Sequence, residues 1–169
     1  MYPLLTDFYA WYEQENLKQQ IINKQAGPDD GEQSSGVAMS EFDGALLEIP
    51  AINLSIPVQE GTTPELLAVT PGRYIESALP GEGNTAIAGH RTMYGGPFRN
   101  LTDLKPGDII ILSCQELVFE YRVEELYSVE NDDWSVIAPC GYAALTLTTC
   151  HQDGSSVRQI IRARMLNKR

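Results

Sequence analysis

The sequence predicts an all-β domain, a barrel or a sandwich, behind one N-terminal helix. Two observations carry this. From residue 45 onward the chain breaks into about eight short apolar runs rich in β-branched residues and bounded by Gly and Pro. Helical periodicity is long only over residues 3–25, where Leu5, Phe8, Tyr9, Tyr12, Leu17, Ile21 and Ile22 recur. With 169 residues, the chain is large enough to fold without disulfides or metals.

The first helix opens on a dense aromatic segment: Tyr2, Phe8, Tyr9, Trp11 and Tyr12. Two readings fit it: a helix packed on the domain, or a segment just outside a membrane span, where Trp and Tyr favour the lipid–water boundary. Residues 26–44 are rich in Gly, Ser and acids and read as a linker. The strand candidates are Ala45–Ile49, Ile52–Val58, Thr85–Ala88, Asp108–Ser113, Leu117–Val123, Leu126–Val129, Ala143–Cys150 and Val157–Met165. Pro50 and Pro57 mark edges or breaks. Thr63–Ala68 reads as a short helix, with Thr63 as its cap and Pro64 at its first position. The domains expected are therefore a helical appendage over 1–25, a linker over 26–44 and a β-domain over 45–169.

Charge and cysteine usage narrow the function classes. Twelve Lys and Arg against 23 Asp and Glu give a net charge of −11, which disfavours nucleic-acid binding. The three cysteines, Cys114, Cys140 and Cys150, are odd in number and contain no CxxC pair. With only His90 and His151 beside them, neither a disulfide framework nor a structural zinc site is expected. No apolar run reaches 18 residues and no signal peptide is visible, so the chain reads as cytoplasmic or as the soluble piece of something longer. Five of the 12 cationic residues lie between Arg158 and Arg169, on a polar-faced last strand or a basic end suited to an anionic membrane or wall polymer.

The chemistry-bearing segment is Ala143–Ala163. Along it Leu145, Leu147 and Thr149 share one face of a strand, and Thr146, Thr148 and Cys150 the other. The turn-rich stretch His151–Ser156 follows, and a hairpin there would set Arg158 across from Cys150. A guanidinium beside a cysteine favours the thiolate or stabilises a nearby oxyanion. A thiol nucleophile also needs an acid/base partner. His151 is adjacent to Cys150 and points to the opposite face unless the strand ends right at Cys150. His90 closes an apolar strand and enters a glycine-bearing loop, which makes it the better candidate. Each residue also has a plain structural role open to it: a buried thiol, a hydrogen-bonded histidine, and a solvated strand arginine like Arg162 and Arg164. Cys114, ending an apolar strand, and Cys140, in a Pro-Cys-Gly turn, are assigned structural roles.

Three motifs then resemble those of the sortases, the cysteine transpeptidases of bacterial cell surfaces. They are Asn84-Thr85-Ala86-Ile87-Ala88-Gly89-His90-Arg91, the stretch from Pro97-Phe98-Arg99-Asn100-Leu101 to Leu104-Lys105-Pro106-Gly107-Asp108, and Thr146-Leu147-Thr148-Thr149-Cys150 with Arg158 downstream. Leu47-Glu48-Ile49-Pro50 through Pro57-Val58 is similar to the early strands, so the resemblance runs from about residue 45 to 166. The wording of the second motif and of Gly89-His90-Arg91-Thr92, with no obvious aromatic-bearing lid, is most similar to classes D and E.

The resemblance implies an eight-stranded β-barrel with Cys150 as nucleophile, His90 as general acid/base and Arg158 as stabiliser of substrate and oxyanion. Thr149 is a further candidate for a substrate or oxyanion contact. The implied reaction is cleavage of an LPxTG-type sorting signal between Thr and Gly, with transfer of the thioacyl group to an amine of a cell-wall precursor or a pilin lysine. It implies no cofactor. Some relatives bind calcium, and Glu124-Glu125 and Glu130–Asp133 are the acids to weigh, though a charge run is usually a solvated face. It also implies a membrane-anchored protein on the outer face of the cell membrane, of which this chain is a soluble fragment. One departure stands in the loop: many members have proline two residues after the cysteine, where this chain has Gln152. The alternatives to wall anchoring are pilin polymerisation, a cysteine endopeptidase and, from another class, a noncatalytic β-barrel binding module.

Overall fold

The computed structural model describes residues 3–25, 41–150 and 156–169. The helix α1 spans Pro3–Gln25. Eight strands follow: β1 (Ala45–Ile49), β2 (Leu54–Glu60), β3 (Gly72–Arg73), β4 (Asn84–Ala88), β5 (Ile109–Cys114), β6 (Leu117–Glu130), β7 (Ala144–Cys150) and β8 (Val157–Lys168). They close into a barrel in the order β1-β2-β3-β4-β7-β8-β6-β5. A barrel leaves no free sheet edge. Of the barrel and the sandwich left open by strand count, the structure is the barrel. Leu47, Ile49, Ile56, Val58, Ile87, Ile110, Leu112, Phe119, Leu145, Leu147 and Ile161 fill its interior.

Two strands, β2 and β6, differ most from the sequence expectation. The second strand starts at Leu54 rather than Ile52, because Pro50–Ile52 forms a 3-10 turn that Asn53 ends in the left-handed region at φ 51°. Pro57 lies inside β2, opposite Leu46 of β1. The other neighbour, β3, pairs only with Gln59 and Glu60, so a missing N–H there breaks no ladder. Residues 117–130 form one strand, not two. A register shift between Val123 and Glu125 absorbs the two acids that interrupt the apolar alternation.

The two-residue β3 went unrecognised because so short an element carries no periodicity. Arg73 fixes it: its Nε donates to Glu60 Oε2 at 2.9 Å and its Nη1 to the Ser77 carbonyl at 2.7 Å, while its guanidinium lies over the buried Phe42 ring. The helix α2 (Pro64–Leu67) matches the prediction in its Thr63 cap and its Pro64 start.

Helix α1 packs on the barrel. Ala10 and Ile21 are buried, Gln14 Nε2 donates to the Val69 carbonyl at 2.8 Å, and Lys24 pairs with Asp43 at 2.7 Å. Tyr9, Trp11 and Tyr12 remain exposed on it. No described helix is long and apolar enough to cross a membrane. Most of the expected linker, residues 26–40, and residues 151–155 of the turn expected after Cys150 lie outside the described residues, His151 and Gln152 among them.

Candidate active site

The site forms where β4, β7 and β8 end side by side. β4 and β7 run parallel, with Ala88 opposite Thr148, and Gly89 N–H continues the ladder to the Thr148 carbonyl at 3.1 Å. His90 and Cys150 each stand two residues beyond that last pair. β7 and β8 run antiparallel with Cys150 opposite Arg158, the register expected of the hairpin. The tertiary fold thus gathers His90, Cys150 and Arg158 at one end of the barrel, though 60 or more positions separate the histidine from the other two.

His90 is half-buried, and burial lowers its pKa from the ordinary 6.5, which favours the neutral imidazole. Its ring lies 5.2 Å from that of Tyr94, and its carbonyl accepts the Phe98 N–H at 2.9 Å. The loop between them turns tightly at Gly96, where φ is 53° and a Cβ would meet the Arg91 carbonyl oxygen at 2.3 Å.

Arg158 is half-buried. Its Nη1 donates to Tyr74 Oη at 2.9 Å, and Tyr74 Oη lies 3.1 Å from Thr148 Oγ1. With the tyrosine oxygen accepting from the arginine, its own proton is free to go to Thr148. The guanidinium also sits over the Trp134 ring, 5.4 Å from its centroid. A cavity of about 270 Å³ opens between His90 and Arg158; Leu67, Tyr74, Trp134 and Thr149 help to line it. Thr149 is 4% exposed, and its hydroxyl has no hydrogen-bond partner among the described residues.

The other two cysteines stand apart. Cys114 is buried in the core, which pushes its thiol up to about 12, so it stays protonated and inert. Cys140 is half-buried and donates to the Tyr142 carbonyl. Two of the acids weighed for a cation, Glu124 and Asp133, are otherwise engaged. Glu124 accepts from Arg164 at 2.6 Å and from Tyr142 at 2.9 Å, and the hydrogen bond from Arg164 holds its carboxyl below the usual range. Asp133 caps the 3-10 turn Trp134–Ile137 through Ser135 N–H. Among the described residues no group of three His, Cys, Asp or Glu could hold a metal ion.

Arg162, expected as a solvated strand residue, is buried at 8% exposure. Its Nη2 reaches the Val136 carbonyl at 3.2 Å and Tyr127 Oη at 3.3 Å. Arg164 is exposed, as expected. Sequence reasoning also missed Tyr74 and Trp134. Tyr74 follows a strand too short to detect. Trp134 follows an acidic run that drew attention to charge, although Asp133 with Ser135 two residues on is a turn signal.

A closed eight-stranded barrel brings together the strand ends that carry His90, Cys150 and Arg158. The sortase domain model matches residues 47–166, and the chain belongs to the sortase family. It is 31% identical to sortase SrtE1 of Streptomyces coelicolor over 91% of this chain and 47% of that protein. It is 33% identical to sortase D of Bacillus subtilis over 80% of this chain and 64% of that protein. The chain therefore spans about half the length of the first of these relatives. Among solved structures, the sortase D5 transpeptidase of Clostridium perfringens superposes with a TM-score of 0.78 at 25% identity, over 92% of this chain and 99% of that one. Sortase E of Streptomyces avermitilis superposes with a TM-score of 0.68 at 32% identity, over 79% and 93%. The expected eight-stranded barrel and the resemblance stated from the motifs are both borne out.

Proposed function

We propose that this chain is the catalytic part of a cysteine transpeptidase. It cleaves an LPxTG-type sorting signal between Thr and Gly and passes the protein to an amine of the cell wall. The observation that carries the reading is the shared register of three strand ends. Two residues past the Ala88–Thr148 pair come His90 and Cys150, and Arg158 lies opposite Cys150.

In this reading the Cys150 thiolate attacks the Thr carbonyl carbon and a C–S bond forms. The C–N bond to Gly breaks as His90, protonated for this step, gives its proton to the leaving amine, which departs poorly without one. An acceptor amine then attacks the thioester, loses a proton to His90 and releases Cys150. Arg158 keeps its charge throughout and supplies donors to substrate carbonyls and the oxyanion. Thr149 offers a hydroxyl to the bound peptide. The chemistry itself requires no cofactor. The likeness to sortases D and E favours those classes, and the site of action is the outer face of the cell membrane, with the complete protein anchored there.

The test is mass spectrometry of peptides of LPxTG type incubated with the protein, with and without triglycine, beside Cys150→Ala. Cleavage between Thr and Gly that Cys150→Ala abolishes, with ligated triglycine, is the expected result. Ligation to a pilin lysine peptide in preference to triglycine would indicate the pilin-polymerising reading. Hydrolysis unaffected by amines would make it an endopeptidase, and no turnover would leave a binding module.

A further inference from the structure

The proposed chemistry leaves Trp134 unused, yet the fold holds it in place with buried polar groups. It begins the 3-10 turn Trp134–Ile137 between β6 and β7. Asn84 Nδ2 donates to the Val136 and Ala138 carbonyls, both at 2.9 Å, and Thr146 Oγ1 donates to Asn84 Oδ1 at 2.6 Å. Arg162 reaches the same Val136 carbonyl from β8. Asn84 is 1% exposed, so satisfying these groups requires this one placement of the turn. The residue so held is not buried for its apolar area: Trp134 is 56% exposed. What it touches is Arg158, whose guanidinium lies over the indole, and Tyr74, whose ring meets it edge-on with centroids 6.3 Å apart. Tyr74 in turn takes the Arg158 Nη1 hydrogen bond. A long side chain with several free torsions is thereby gripped from a face and from one end.

We propose that Trp134 and Tyr74 are positioning residues that orient the Arg158 guanidinium for the reaction, on a turn anchored by Asn84 and Arg162. The inference rests on the role given to Arg158 above. It differs from a mere apolar wall for the peptide, because it requires the indole to act through the arginine.

The test compares steady-state peptide cleavage by Trp134→Phe, Trp134→Leu, Tyr74→Phe, Arg158→Lys and the double variant Trp134→Leu/Arg158→Lys. Trp134→Leu is expected to lower kcat about tenfold with KM little changed, and Trp134→Phe to retain most of kcat because it keeps a π face. The double variant is expected to lose no more than Arg158→Lys alone. An additive loss in the double variant, or a loss by Trp134→Leu confined to KM, would overturn the proposal. A second readout needs no turnover. The chain has two tryptophans, so Trp11→Phe leaves Trp134 alone to fluoresce. Arg158→Gln in that background is expected to change the emission intensity, and unchanged emission would overturn the contact. If the wild type cleaves no peptide while this change is seen, the functional reading fails and the grip on Arg158 stands.

Discussion

Gly89 and Phe98 approach so closely that no side chain fits between them. A Cβ on Gly89 would lie 2.6 Å from Phe98 Cδ2, and the phenyl ring is fully buried. The contact sits directly beside His90, whose carbonyl takes the Phe98 N–H. Gly89→Ala should therefore destabilise the fold by about 1–3 kcal/mol through overpacking, and shift His90 as well. Urea unfolding would measure the first effect and peptide cleavage the second. Adding Phe98→Leu to Gly89→Ala should recover part of both, and a failure to recover either would mean that the ring is not the obstacle.

Burial lowers the His90 pKa from 6.5, which has a consequence for both charge and stability. Between the folded value and 6.5 the unfolded chain binds more protons than the folded one. Stability from this group is thus fully present above pH 6.5 and is lost as pH falls through the folded pKa. His151→Gln leaves His90 the one histidine, and Cys150→Ala removes any charge of the neighbouring thiol. An NMR titration of that double variant should give a midpoint below 6.5. A midpoint at or above it would rule out burial as the controlling effect.

Asn84 ties β4 to the turn before β7 with two hydrogen bonds and to Thr146 of β7 with a third. Asn84→Ala leaves the buried Thr146 hydroxyl without its partner and takes one donor each from the Val136 and Ala138 carbonyls, of which Val136 keeps Arg162, so it should cost about 1–3 kcal/mol. Chemical denaturation would read this directly. A loss below about 1 kcal/mol would mean that the turn finds other partners.

The barrel strands were legible because closure imposes a pattern that residues carry locally. β1 matches its predicted span, β4 and β7 depart from theirs by a residue at one end and β5 by a residue at each, since each alternates or runs apolar against one core. β6 was read as two strands because Glu124 and Glu125 fall where the alternation slips, and only the pairing with β8 shows that the slip is a bulge. β8 runs on past Met165 to Lys168 because its far end still finds partners in β6, a fact of pairing rather than of composition.

The sequence by itself determined the chemistry-bearing residue types and the hairpin geometry around one of them. Cys150 and Arg158 are eight positions apart, close enough for local pairing to set them opposite each other. Only the tertiary structure decided the rest. β4 and β7 are neighbours through a parallel, non-local pairing, and nothing between residues 88 and 148 announces that their ends meet. Tyr74, Trp134 and Arg162 follow the same rule. Each takes its partners from a strand or turn distant in the chain, so their roles arise from closing the barrel and not from the residues beside them.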